Sequence, residues 1–327
     1  MTALITGASG FLGGRLAQML IERGEDVTIL ARPTSDLRHL SGLPLRVVQG
    51  DLTDPASLHQ AVQGATRIFH CAACSTDWAP YDTYYQANVV GTKNLLAAAQ
   101  NSTSCPRFVH VSTTDIYGYP LVPGDESNPS VDAGLPYNQT KIMGENAVWH
   151  AHHTTKLPIT ILRPATIYGP RGKDFTVEVA TLLRQRLMAT IDGGKCNGGF
   201  TYVDNVAAAM ILASTSPAAI GEAYNLSDGT QASWNEYLTL FAAALGTPRP
   251  WINLSFQQAM TLADILEFPH KVLNLKARPL LTRHAVYLLA RDQEFPITKI
   301  QTDLGFTPQV SLDEGIARSV AWLASRK

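Results

Sequence analysis

The sequence predicts an α/β fold: a doubly wound parallel sheet with a smaller, interleaved, mostly helical C-terminal lobe. Three observations carry that prediction. Short β-branched apolar runs alternate with segments of helical periodicity through the first half of the 327 residues, which means parallel strands joined by helical crossovers. A glycine-rich turn directly follows the first of these runs. After about residue 165 the alternation gives way to loops and apolar helices.

Taken in order, "TALIT", "DVTILA", "LRVVQG", "TRIFHCA", "RFVHVS" and "PITILRP" read as buried strands. Between them "GGRLAQMLIERG", "PASLHQAVQG", "YYQANVVGTKNLLAAAQN" and "YNQTKIMGENAVWHAHH" read as helices. Beyond them "YGPRGKDF" and "IDGGKCNGG" are loop-like, while "FTYVDNVAAAMILAS" and "EAYNLSDG" read as returns to the main sheet or its edge. From Trp234 to about Leu289 the pattern is helical and apolar, interrupted by prolines. The last helix starts near Ser311, with Glu314 spaced from it as a capping box. The expected division is a sheet domain over residues 1–165, with returning segments near 200–227 and 291–300, and a second lobe built mostly from 166–327.

Composition narrows the classes. A formal net charge of −1 and a pI near 6.7 leave no basic stripe for nucleic acid. No apolar run reaches the roughly 18 residues that span a bilayer, and "TALITG" follows Met1 with no charged leader or cleavage site. Four cysteines in a chain this long make no disulfide framework, and a reducing cytoplasm is the expected compartment. The "CAAC" of Cys71 and Cys74 has no second Cys/His pair at zinc spacing, so it reads as two small residues ending a buried strand.

In "TGASGFLGG" the spacing of Gly7, Gly10 and Gly13 is G-x-x-G-x-x-G, wider than the usual dinucleotide fingerprint. The physics is shared: glycines allow a tight turn and close approach, and a helix N-terminus offers free N–H groups to a pyrophosphate. Gly7, Ser9, Gly10, Phe11, Leu12 and Gly13 are thus candidate cofactor contacts, and the first domain is a dinucleotide-binding Rossmann unit. An NAD site usually has an acid at the end of the second strand for the ribose 2′-hydroxyl. Here Ala31 and Arg32 stand there, and a guanidinium suits a 2′-phosphate, so NADP(H) is preferred with NAD(H) possible. Asp51 and Leu52 end the third strand, where the adenine edge would lie, and Ala72 and Ala73 end the fourth with room for ribose and phosphates.

Of eleven tyrosines only Tyr137 has a lysine, Lys141, four residues on, across one helix face. Upstream, "VHVSTTDIYG" ends the fifth strand in the hydroxyls Ser112, Thr113 and Thr114, at the strand end where doubly wound sheets bind ligands. A free phenol titrates near about 10, too high for an efficient relay at neutral pH; an adjacent ammonium and a cationic nicotinamide ring would lower it. Thr113 would hold a substrate oxygen while Tyr137 gives or takes its proton and Lys141 serves the cofactor ribose. Together they make a carbonyl/alcohol site facing a nicotinamide.

Through "TGASGFLG", "GDLTD", "HCAA", "NVVGTKNLL", "VSTTDIYG", "YNQTK", "LRPATIYGP" and "FTYVDNVAAA" the chain resembles the extended short-chain dehydrogenase/reductase superfamily over nearly its whole length. The resemblance implies Thr113, with Thr114 as the near alternative, and Tyr137 and Lys141 as catalytic residues. It implies Asn88, matching the family's Asn on the fourth crossover helix, as a cofactor-binding residue, Pro164 and Ile167 beside the nicotinamide, and no metal. Two branches compete. Nucleotide-sugar epimerases and dehydratases usually carry an arginine two residues before the Phe of "FTYVD"; here Gly198 stands there. "ARPLLTRHAVYLLARDQEF" and "TDWAPYDTYYQANVVGT" resemble the 3β-hydroxysteroid dehydrogenase-like and dihydroflavonol reductase-like branch, which includes bacterial reductases of long-chain β-keto acids. The expected function is therefore NADP(H)-dependent interconversion of a ketone and a secondary alcohol on an apolar small molecule. The alternative is a nucleotide-sugar epimerase or dehydratase with tightly bound NAD(P), kept alive by "ARPTSDLRHL", which also occurs in sugar-epimerase relatives. A non-catalytic nucleotide sensor on the same fold is disfavoured because Tyr137 and Lys141 are both kept.

Two further expectations concern surfaces. The resemblance implies a homodimer packing the helices that begin near Tyr84 and Tyr137, with Val89, Leu95, Ala98, Ile142 and Val148 compatible with that interface. Trp251, Phe256, Met260, Leu262, Ile265, Leu266 and Phe268 either line a hydrophobic substrate pocket or form the second lobe's own core.

Overall fold

The structure is a computed structural model and describes residues 1–326. Among the described residues eleven strands are formed: β1 Thr2–Thr6, β2 Asp26–Ala31, β3 Leu45–Gln49, β4 Arg67–His70, β5 Arg107–Val111, β6 Ile159–Pro164, β7 Thr166–Tyr168, β8 Ala189–Ile191, β9 Phe200–Tyr202, β10 Glu222–Leu226 and β11 Ile252–Leu254. Seven make one parallel sheet in the order β10–β6–β5–β4–β1–β2–β3. β4 and β6 are buried along their whole length because helices cover both faces. The chain winds outward from β1 to β3, then crosses back to β4 on the other side of β1. The winding therefore reverses between β1 and β4, which opens a crevice beyond their carboxyl ends.

One face of the sheet is sealed by Leu16 and Leu20 of the helix Phe11–Glu22, Met210 of Val203–Thr215 and Ile300 of Thr298–Leu304. The other is sealed by Leu58, Leu95 and Val148 from the helices over residues 55–62, 81–100 and 136–155. Residues 81–100 form one continuous rod with a π-turn over Gln86–Val90. A third core belongs to the second lobe, where Phe200 stacks on Tyr237 with ring centroids 4.1 Å apart and Trp234 packs edge-on at 5.0 Å.

Several expectations change here. "EAYNL" does join the main sheet as edge strand β10, but Phe200–Tyr202 pairs with β7 in a separate two-stranded sheet, and the residues after it turn helical. Ser311 caps the last helix, Leu312–Ser325, by accepting the Glu314 N–H, while the Glu314 carboxylate turns to Arg318 at 2.6 Å instead of closing the box. Val89, Leu95, Ala98 and Val148 are buried in the chain's own core, so they are not interface residues; a helix lying on the sheet turns its best apolar positions inward. In the lobe, Phe256 and Met260 pack against Val286 and Ala290, whereas Trp251, Ile265 and Phe268 are exposed. None of the seven apolar residues expected there lines the cavity.

Candidate active site

A cavity of about 810 Å³ runs along the carboxyl ends of the strands, within the size range of small-molecule and cofactor sites. At one end lies the glycine turn. Gly7 takes φ +78°, and a Cβ on it would meet the Ala72 nitrogen at 2.6 Å; a Cβ on Gly13 would meet the Gly7 carbonyl oxygen at 2.5 Å. These glycines bring β1, β4 and the first helix together. That helix has Gly10 as its N-cap, no side-chain cap and no acid in its first turn, so its leading N–H groups are open to an anion. Ser9, Phe11 and Leu12 border the same space, with Ala72 and Ala73 opposite and Pro164 and Ile167 closing the far side.

Arg32 is exposed at the end of β2, borders the cavity and makes no ion pair among the described residues. Asp51 and Leu52 face it from the end of β3. The Thr53 N–H and hydroxyl donate to Asp51 Oδ1 at 2.8 and 2.7 Å and hold that carboxyl below its ordinary range, with the nearby Arg32 charge adding to the effect. A glycine cradle that a Cβ would fill, an uncapped helix start and a free guanidinium fit a phosphorylated dinucleotide. Gly7 through Gly13, Arg32, Asp51 and Leu52 would hold it.

The catalytic candidates meet further along. Thr113 borders the cavity at the end of β5, whereas the Thr114 hydroxyl is sealed away without a partner. Pro136 opens the helix Pro136–Thr155, fixing the start that presents Tyr137; Lys141 follows one turn later on the same face. Burial lowers the Lys141 ammonium to about 8, against the opposing charges of Glu145 and Asp115, and its Nζ donates to the Val111 carbonyl at 2.7 Å. Glu145 itself is held by Arg163 at 2.6 Å and accepts the Ser112 hydroxyl at 2.5 Å.

The phenol departs from expectation. Burial first, then the Asp115 charge, push Tyr137 above its ordinary value, and a hydrogen bond with Thr113 opposes them. The chain's own groups thus hold Tyr137 protonated, the form that donates a proton.

Asn88 does not border the cavity. Its side chain is buried, accepting the Cys74 N–H at 2.8 Å and donating to Thr140 at 3.1 Å. It joins the loop after β4 to the Tyr137 helix. Cys71 is pushed up to about 12 by burial and Cys74 is also raised, which leaves both as thiols. No group of three or more metal-ligating side chains is found among the described residues.

Sequence reasoning missed a polar cluster on the opposite wall. Asp115 accepts the Tyr119 hydroxyl and His284 Nε2, each at 2.9 Å, and the His284 ring stacks on Tyr137 at 5.5 Å. Arg278 forks onto Asp77 at 2.6 and 2.7 Å and reaches Glu178 at 2.6 Å, while Thr282 donates to Asp77 at 2.6 Å. Apart from Tyr119 and Asp115, four residues apart, the hydrogen-bonded partners lie 100 to 205 residues apart in sequence, so no local spacing announces them. The one available signal was Asp115 itself, a carboxylate between the hydroxyls and the "IYG". Beside this cluster the wall is apolar, built from Phe175, Val179, Leu182, Met188, Leu281 and Leu288.

Residues 3–227 match the NAD dependent epimerase/dehydratase family. The chain is 33% identical to the 2-alkyl-3-oxoalkanoate reductase of Stenotrophomonas maltophilia, over 97% of its own length and 98% of that protein. It is 31% identical to the 4-hydroxy-2-methyl-3-oxo-4-farnesyl-3,4-dihydroquinoline-1-oxide ketoreductase of Stigmatella aurantiaca, over 97% and 95% of the two chains. Among solved structures, gox2253 superposes with a TM-score of 0.82 at 28% identity, covering 99% of this chain and 98% of that one.

Proposed function

Because this chain belongs to the NAD dependent epimerase/dehydratase family, we propose that it is an NAD(P)-dependent oxidoreductase that reduces a ketone to a secondary alcohol on an apolar small molecule. The observation that carries this reading is that Thr113, Tyr137 and Lys141 border one cavity together with an apolar wall. Relatives that reduce an oxoalkanoate and a farnesylated ketone support it.

When bound, the nicotinamide cofactor supplies the hydride. Thr113 and Tyr137 receive the ketone oxygen, and Tyr137 gives it the proton that the new alcohol needs. Lys141, anchored on Val111, puts a positive charge beside the ribose site. The apolar wall excludes water and takes the substrate's hydrocarbon part.

Arg32, without an ion pair among the described residues and standing where an acid would end β2, favours NADP(H) over NAD(H). Gly198 supports the reductase over the epimerase reading. A side chain there would run into the Phe200 ring, which is fully buried, so no arginine is accommodated to clamp a sugar-nucleotide diphosphate. Among the described residues no helix is long and apolar enough to cross a membrane. We place the protein in the cytoplasm as a homodimer. The second copy would lie against exposed Tyr81 and Met143 and half-buried Tyr85 and Ala147, a joint patch of the two helices flanking Asn88. A dimer mass in light scattering at micromolar concentration supports the pairing, and a monomer mass refutes it.

The test of function is absorbance at the nicotinamide band with NADPH and a panel of long-chain β-keto acids, steroid ketones and dihydroflavonols. Loss of absorbance matched by alcohol formation is expected. If every ketone is inert, the reading is wrong.

A further inference from the structure

His284 lies in the first turn of the helix Arg283–Ala290, and its placement there is overdetermined. Thr282 caps that helix through the Ala285 N–H and is itself tied to Asp77; Glu267 accepts the Arg283 N–H at 2.8 Å. The imidazole is 6% exposed and gives its Nε2 to Asp115. Its other nitrogen, Nδ1, makes no hydrogen bond among the described residues, yet it is not among the atoms sealed from solvent, and the residue borders the cavity. A ring nitrogen that is unpartnered among the described residues, on a nearly buried ring that borders the cavity, is a recognition group for a ligand atom.

We propose that His284 binds a carboxylate of the substrate, one carbon removed from the reacting ketone, and so selects 3-oxo acids. This deepens the ketone-reductase reading and rests on it. The ring stacks on Tyr137 with centroids 5.5 Å apart and both residues border the cavity, so His284 stands beside the phenol that receives the ketone oxygen. A second substrate oxygen must therefore sit within a few bonds of the first. In a 3-oxo acid the 1,3 relation lets both oxygens point the same way, one to Tyr137 and one to His284. Asp115 selects the charge. An imidazole whose Nε2–H already serves one carboxylate binds a second by carrying a proton from solvent on Nδ1, which leaves one cation between two anions. The hydrocarbon part then extends along Phe175, Met188 and Leu288. An isolated ketone, such as that of a steroid ring, leaves Nδ1 unanswered.

The test compares a freshly prepared 3-oxo fatty acid with the methyl ketone of the same chain lacking the carboxylate, in wild type and two variants. His284→Gln keeps an amide where Nε2 meets Asp115 and loses the atom at Nδ1; His284→Asn does the reverse. Wild type should favour the acid. In His284→Gln, kcat/KM for the acid should fall about 10- to 150-fold more than for the ketone, mostly through KM. His284→Asn should recover part of that preference, and inhibition by the matching 3-hydroxy acid should follow the same order. Thermal midpoints and NADPH affinity of both variants confirm that they are folded. Equal losses on acid and ketone, or no loss on either, overturn the proposal while leaving the reductase reading intact. A wild type that turns over neither compound removes the reductase reading and this proposal with it.

Discussion

The Lys141 ammonium donates to the Val111 backbone carbonyl across 2.7 Å, which ties the Tyr137 helix to the end of the strand that leads into Thr113. Through this bond one charged group links the three side chains proposed as catalytic. The charge is carried at a cost, because burial disfavours it.

That cost sets a pH dependence. Lys141 titrates at about 8 in the fold against 10.5 ordinarily. Below 8 it is charged in both folded and unfolded chains. Between 8 and 10.5 the unfolded chain binds more protons, so this group's contribution to stability rises with pH, by on the order of 3 kcal/mol in all. The thermal midpoint of the cofactor-free protein relative to Lys141→Met should therefore rise from pH 8 to pH 10. A constant difference between the two would show that Lys141 is not desolvated as described. Lys141→Met should also bind NADPH more weakly and turn over slowly.

Tyr137→Phe removes the proton donor and little else, since the ring still stacks on His284. Turnover should fall about 10²–10⁴-fold, with NADPH affinity by fluorescence titration within a few-fold of wild type. A variant retaining a tenth of the activity would require another acid.

Arg32→Ala tests cofactor choice. Wild type should bind NADPH more tightly than NADH. The variant should lose most of that preference, about 10- to 150-fold for a hydrogen bond to a charged group. Equal affinities in the wild type would remove Arg32 from the 2′-phosphate role.

Gly198→Arg restores the cation that sugar-nucleotide enzymes carry at this position. Its Cβ would strike the buried Phe200 ring, so the prediction is lost stability with no gain of epimerase activity, read by thermal midpoint and by product analysis with a nucleotide sugar. An undisturbed midpoint would mean that Phe200 yields easily.

Legibility in the sequence followed the range of the interaction. The glycine turn, the strand-ending hydroxyls and the Tyr137–Lys141 pair are local devices, a few residues long, and each was readable as such. The six parallel strands of the first half were readable as short β-branched apolar runs, a signal that burial on both faces explains for the inner strands but not for β3, which lies at the sheet edge and is mostly exposed. His284, Asp115, Asp77 and Arg278 were not, because their pairings exist only once the second lobe folds over the sheet. The same limit misplaced the apolar residues of the lobe. Periodicity identifies an apolar face, but what covers Phe256 rather than Phe268 depends on how that helix is docked. It also made Val89 and Leu95 look available to a second copy when the chain's own core had taken them.

The most direct measurement of the central claim follows the hydride itself. The protein is incubated with NADPH carrying deuterium at the transferring position and with a long-chain 3-oxo acid, and the product is analysed by mass spectrometry. One deuterium on the new carbinol carbon, matched by an equal amount of oxidised cofactor, is the predicted result. An unlabelled, unreduced acid, together with a nucleotide sugar epimerised at no net change in cofactor, would contradict it.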